Sequence, residues 1–209
     1  MNFGGIDAGD AGLEDAKFVV IPVPYDLTST YQSGSRNGPA AILDASANME
    51  LYDEELHVET YRCGIHTVPS LEVDARGPEE MVREVRGEVA RILSLDKIPV
   101  VLGGEHSITT GVVQAMREKY PSISVLQFDA HADMRNSYQN ASFSHASVGR
   151  RIFEMCPLVQ IGIRSMSVEE ARFMEENGVK TFSPDFLSDD PDPVKSICDN
   201  LSKEIYITA

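Results

Sequence analysis

Thiols are scarce in this chain. Cys63, Cys156 and Cys198 are its three cysteines, widely spaced and in no Cys-x-x-Cys unit. That argues against a disulfide-stapled fold and a zinc–thiolate site, and fits a reduced compartment. No apolar run approaches membrane-spanning length, so no transmembrane helix is expected. The stretch Met1-Asn2-Phe3-Gly4-Gly5-Ile6-Asp7 lacks both the basic start and the apolar centre of a signal peptide, which makes the cytoplasm the expected location. Positive charge is short as well: 18 Lys and Arg stand against 33 Asp and Glu, a net charge of −15. Such a balance disfavours nucleic acid and anionic membranes as partners. It is compatible either with a cationic substrate or with plain solubility. Repeats, low-complexity tracts and long linkers are absent too.

What is present is ordinary for a globular protein: 209 residues, 42% hydrophobic and 24% charged, enough for one substantial α/β domain. Strands are expected over 17–23, 63–68 (weak), 99–102 (short and buried), 123–129, 158–163, 179–182 and 204–208. Helices are expected between them: 38–49 with Pro39 in its first turn, 78–95 with Met81, Val85, Val89, Ile92 and Leu93 at helical spacing, 107–120, 146–155, 168–177 stopped by Gly178, and 193–201. This alternation predicts a single doubly wound domain over 1–209, in three layers α/β/α with a mainly parallel sheet.

The most informative stretch is Phe128-Asp129-Ala130-His131-Ala132-Asp133-Met134-Arg135. Carboxylate, imidazole and carboxylate recur at every second position directly after an apolar strand. A solvated acidic loop explains one Asp, but not three hard donors at a strand end. Oxygen and nitrogen donors at this density suit a divalent cation such as manganese. In a doubly wound sheet, loops at the carboxyl ends of different strands converge on one crevice. Gly103-Gly104-Glu105-His106-Ser107 is another such loop, and its glycines permit close backbone approach. His106, His131 and His145, three of the five histidines, all fall in these rim loops. Tyr25, Asp26 and Arg36 are read as ties for the first loop, with shaping the mouth of the site as the alternative.

GGEHS, DAHADMR and Ser144-His145-Ala146-Ser147 resemble the ureohydrolases, the arginases and agmatinases. Pro22-Val23-Pro24-Tyr25-Asp26 and Gly34-Ser35-Arg36-Asn37-Gly38-Pro39-Ala40-Ala41-Ile42 resemble that family's opening loop and first helix. The resemblance covers nearly the whole chain. It implies an arginase/deacetylase-like fold and two manganese ions per site. One ion would be held by His106, Asp129 and Asp133, the other by His131 and the shared Asp129. It also implies that His145 shuttles a proton near the leaving amine, as an imidazole can near neutral pH. The implied substrate is a small cationic guanidino compound, and the implied assembly a homo-oligomer, trimer or hexamer.

Phe143 stands where arginases carry an Asn, two places before the histidine. Ser165, Met166 and Ser167 stand where arginases place acidic residues. An apolar Phe143 cannot satisfy a buried carboxylate. Agmatine, hydrolysed to putrescine and urea in polyamine biosynthesis, is therefore the expected substrate. Arginase, guanidinobutyrase and formiminoglutamase activities are the alternatives. The chain ends on Glu204-Ile205-Tyr206-Ile207-Thr208-Ala209, where the family continues into a motif with further carboxylate ligands. The expectation is a C-terminally incomplete domain without the family's last strands and helices, or a truncated, non-catalytic metal-binding remnant. Asp185, Asp189, Asp190 and Asp192 match no ligand position and are expected in a solvated loop.

Overall fold

An unbroken apolar, β-branched run needs cover on both faces, and Phe18–Val23 (β1) obtains it as the central strand of a parallel sheet. Its neighbours are Ile65–Thr67 (β4) on one side and Ile98–Gly103 (β5) on the other. Between them the chain makes the helix Gly38–Ser46 (α1), a two-stranded antiparallel hairpin of Tyr52–Asp53 (β2) and Val58–Glu59 (β3), and the helix Pro78–Ser94 (α2). The computed structural model describes residues 1–7, 9 and 11–209. They pack as two compact units, 1–108 and 109–209. In α2, Met81, Val82, Val85, Val89, Ile92 and Leu93 are buried, which is the expected apolar stripe of an amphipathic helix.

The second unit alternates more regularly. Thr109–Lys119 (α3), Ser124–Phe128 (β6), Val148–Phe153 (α4), Leu158–Ile161 (β7), Val168–Asn177 (α5) and Lys180–Phe182 (β8) follow one another. Pro184–Asp189 (α6), Pro193–Cys198 (α7) and Ile205–Thr208 (β9) complete it. The sheet is parallel, in the order β8-β7-β6-β9. Strand side chains alternate between two apolar layers. Val125 and Leu158 pack with Val113, Val148, Ile152 and Met174 from α3, α4 and α5. Leu126, Val159 and Ile161 pack with Ile197 and Leu187 from α7 and α6. The sheet is thus covered on both faces, as the expected doubly wound class requires. Successive strands run from β6 outward to β8, and β9 then returns to the other side of β6. The carboxyl end of β6 is therefore a topological switch point, where open α/β sheets bind ligands.

Several local expectations change. Helix α1 stops at Ser46, short of Met49. The Ser46 hydroxyl donates to the Leu43 carbonyl (2.7 Å) and accepts the Gly4 N–H (2.9 Å), which favours termination. The strand expected to be buried at 99–102 is half open, with Ile98 and Val100 exposed by 43% and 39%. The acidic connection is ordered: Asp185 sits in the first turn of α6, and the Asp192 side chain accepts the Lys195 N–H (3.2 Å) as the N-cap of α7. The hairpin β2–β3 and helix α6 are additions that the sequence pattern does not predict.

Candidate metal centre

In the first unit, β5 ends at Gly103 and the chain turns at once into a short 3₁₀ segment, His106–Ile108. His106, at the head of that segment, is half-buried. The turn is fixed from two directions. Gly104 lies so close to the Tyr25 backbone that a Cβ there would overlap the Tyr25 carbonyl oxygen, and the Glu105 N–H donates to that oxygen (2.8 Å). The buried Glu105 carboxylate accepts from the Thr28 hydroxyl (2.6 Å), the Ser107 N–H (2.8 Å) and the Ser107 hydroxyl (2.9 Å). Nearby, Asp26 accepts from the Gly34 N–H (2.7 Å) and pairs with Arg36 (2.5 Å). The hydrogen bond from Arg36 holds this carboxyl down at about 2. Asp26 and Arg36 do tie down the first loop. Burial and the charge of Glu105 raise the pKa of Tyr25 far above the ordinary phenol range.

In the second unit, the donors leave the end of β6 in the expected order. The Asp129 N–H donates to the Ile161 carbonyl (3.1 Å), so Asp129 continues the sheet edge. Asp129 Oδ1 accepts the His131 N–H (2.8 Å) and lies 3.2 Å from His131 Nδ1. This contact is a hydrogen bond or ion pair, and the His131 side chain is largely exposed. One carboxylate oxygen each of Asp129 and Asp133 also lie within 4.8 Å of one another. Asp133 is buried, and its backbone is left-handed at φ 52°, a conformation few non-glycine residues adopt. The oxygen and nitrogen donor set fits a divalent cation of the manganese kind.

The loop is clamped along its length. Ala130 accepts from the Arg164 and Ser165 N–H groups (both 2.9 Å), and the Ala132 N–H donates to Ser165 (3.1 Å). Helix α4 abuts it so closely that a Cβ on Gly149 would stand 2.6 Å from the Ala132 carbonyl oxygen. The Arg150 N–H donates to the Asp133 carbonyl (3.0 Å). Glu170 in α5 is buried, accepts the Met134 N–H (2.8 Å) and forms a capping box with Ser167.

His145 opens a 3₁₀ turn, His145–Ser147. Its ring meets Tyr138 edge-on at 5.6 Å, and the Arg135 guanidinium lies over the other ring at 5.2 Å. Tyr138 and Ala141 exchange N–H···O bonds (2.9 Å each) across Gln139 and Asn140, both at positive φ. This tight turn fixes the segment leading to His145. The hydroxyls of Ser144 and Ser147 bond to each other (3.0 Å). Glu105, Tyr138, Gly149 and Glu170 are site supports that the sequence pattern did not single out. Only Glu170 had a clear local signal, the Ser-x-x-Glu spacing before a helix.

Fold and donors together define an α/β scaffold with a group of candidate metal ligands at a strand end. The model of the Arginase family matches residues 16–209, and the chain belongs to the arginase family. It is 40% identical over 200 residues to the N(1)-aminopropylagmatine ureohydrolase of Thermus thermophilus, covering 95% of this chain and 68% of the relative. It is 30% identical over 199 residues to an agmatinase of Bacillus cereus, covering 93% of this chain and 67% of the relative. The crystal structure of an agmatine ureohydrolase of Thermoplasma volcanium superposes with a TM-score of 0.88 at 31% identity, covering 99% of this chain and 69% of the other. The chain thus spans about two thirds of the length of these proteins.

Proposed function

We propose that this chain carries the metal-binding part of a ureohydrolase that cleaves a guanidino compound to urea and an amine. The observation that carries this reading is the Asp129 and Asp133 carboxylate oxygens within 4.8 Å of one another at the switch point of the second sheet. In this reading His106, Asp129 and Asp133 hold one manganese ion. His131 and the shared Asp129 contribute to a second, and residues 1–209 belong to one ureohydrolase domain. When bound, such a pair of ions supplies a water of lowered pKa as nucleophile. The protein's own part is to hold the donors and to orient the substrate. His145 gives a proton to the nitrogen of the leaving amine as its C–N bond breaks and recovers one from solvent, with its ring steadied by Tyr138.

The substrate we propose is a guanidino compound without an α-carboxylate, agmatine in the first instance, with putrescine as the amine product. Half-buried Phe143 offers a carboxylate no partner. The 40% identity to an N(1)-aminopropylagmatine ureohydrolase favours the aminopropyl derivative as a second reading. Both are cations, in keeping with the net charge of −15. Cytoplasmic location and a trimeric or hexameric assembly are further parts of the proposal. Urea release measured in parallel with agmatine, N(1)-aminopropylagmatine and arginine, with manganese supplied, tests it. Release from either amine-terminated substrate well above that from arginine is expected. Preferential release from arginine would overturn the substrate reading, and no release from any of the three would favour the non-catalytic remnant instead.

A further inference from the structure

Two buried side-chain amides stand behind the Asp129–Asp133 loop. Gln127 in β6 and Gln160 in β7 are partners in register, both fully buried. They extend the face that Val125 and Leu158 present to an otherwise apolar layer. Amides are costly in such a layer unless hydrogen-bonded. Two glutamines kept only for the sheet would satisfy each other. Here a single bond joins them: the Gln160 carbonyl oxygen is buried and unbonded, while each amide nitrogen also donates to the loop. Gln160 Nε2 donates both to Gln127 Oε1 (3.0 Å) and to the Ala132 carbonyl oxygen (2.8 Å), and Gln127 Nε2 donates onward to Asp129 Oδ2 (3.4 Å).

The charge on Asp129 explains this polarity. A carboxylate accepts only, so Gln127 must present its nitrogen to it and its oxygen to Gln160. Gln160 must then donate, and its second N–H reaches the backbone between His131 and Asp133. Asp129 Oδ1 is occupied by the His131 N–H, so the amide supports the other oxygen.

We propose that Gln127 and Gln160 are positioning residues for the metal ligands: a two-amide relay that orients the Asp129 carboxylate and fixes the backbone carrying His131 and Asp133. This rests on the reading of Asp129 as a ligand. Partners that hydrogen-bond ligands typically change metal affinity about 10–100-fold when removed.

The test is the Gln127→Met/Gln160→Met double variant of the full chain, which keeps volume and removes both amides together. Free Mn(II) is titrated by its EPR signal, with melting temperature and exchange of the His131 amide as companion measurements. Expected are a melting temperature near that of the unaltered protein, a manganese dissociation constant raised about 10–100-fold, and faster exchange at His131. If the double variant does not fold, Gln127→Met alone, which leaves the Gln160–Ala132 bond, is judged by the same shift. Asp129→Ala separates the ligand assignment from the relay. Should the unaltered chain bind no manganese, or Asp129→Ala bind it equally well, the ligand reading falls, and the relay with it. Should Asp129→Ala lose binding while the glutamine variants keep unaltered affinity and exchange, the positioning proposal alone is overturned.

Discussion

The GGEHS turn and the DAHAD loop both sit at the carboxyl end of a parallel strand, yet opposite chemistry holds them. Behind His106 the support is an anion: the Glu105 carboxylate gathers N–H and O–H donors from Ser107 and Thr28. Behind Asp129 a neutral amide donates, from Gln127, beside the closer His131 N–H, while the Glu170 carboxylate holds the loop further on at Met134. A ligand loop of carboxylates cannot be braced at its carboxylates by more carboxylates without repulsion. A loop carrying an imidazole can use an anion freely.

Both loops also depend on a glycine against a carbonyl, and the contrast is sharpest there. Gly149→Ala would push a methyl to within 2.6 Å of the Ala132 oxygen. We expect a loss of about 1–3 kcal/mol from overpacking, seen as a lower urea midpoint, together with weaker manganese binding because Asp133 is carried along. Gly104→Ala should destabilise more, because its Cβ would overlap the Tyr25 backbone. Equal stability of either variant would show that the close approach is not a constraint.

Glu105→Ala leaves the buried Ser107 N–H and hydroxyl without their acceptor, at about 1–3 kcal/mol. Glu170→Ala removes the reciprocal half of a capping box and the acceptor of the Met134 N–H, with an expected cost of about 1–2 kcal/mol. Chemical denaturation of both variants ranks them, and a larger loss at Glu170 would reverse the proposed order. The smallest effect is electrostatic. Arg36 holds the Asp26 carboxyl at about 2, below its ordinary 3.8. A depressed carboxyl stabilises the fold above its ordinary pKa, and this contribution drains away as pH falls from about 4 through about 2. Asp26→Asn should therefore flatten stability across that acid window, as melting temperatures against pH would show.

How much of the molecule is legible in its sequence follows the same division. The proposed donors stand out because three hard side chains recur at alternate positions after an apolar strand. Strands and helices with strict periodicity, such as α2 and α5, fall where their apolar spacing and Gly178 place them. Two-residue strands carry too little pattern to assert themselves, so β2 and β3 are silent in the sequence. The exposed residues of β5 are hidden because a continuous apolar run does not say which face is covered. The supports are hardest. Gln127 and Gln160 are distant in sequence, and only pairing of β6 with β7 makes them neighbours. A polar residue in an inward position is their only trace.

The central claim is that His106, Asp129, His131 and Asp133 serve manganese. Anomalous diffraction at the manganese edge from crystals of the protein grown with Mn(II) addresses it most directly. The account predicts a peak bonded to oxygens of Asp129 and Asp133 and to a His106 nitrogen, with a second peak beside His131. Strong peaks elsewhere on the chain with none at Asp129 would contradict it.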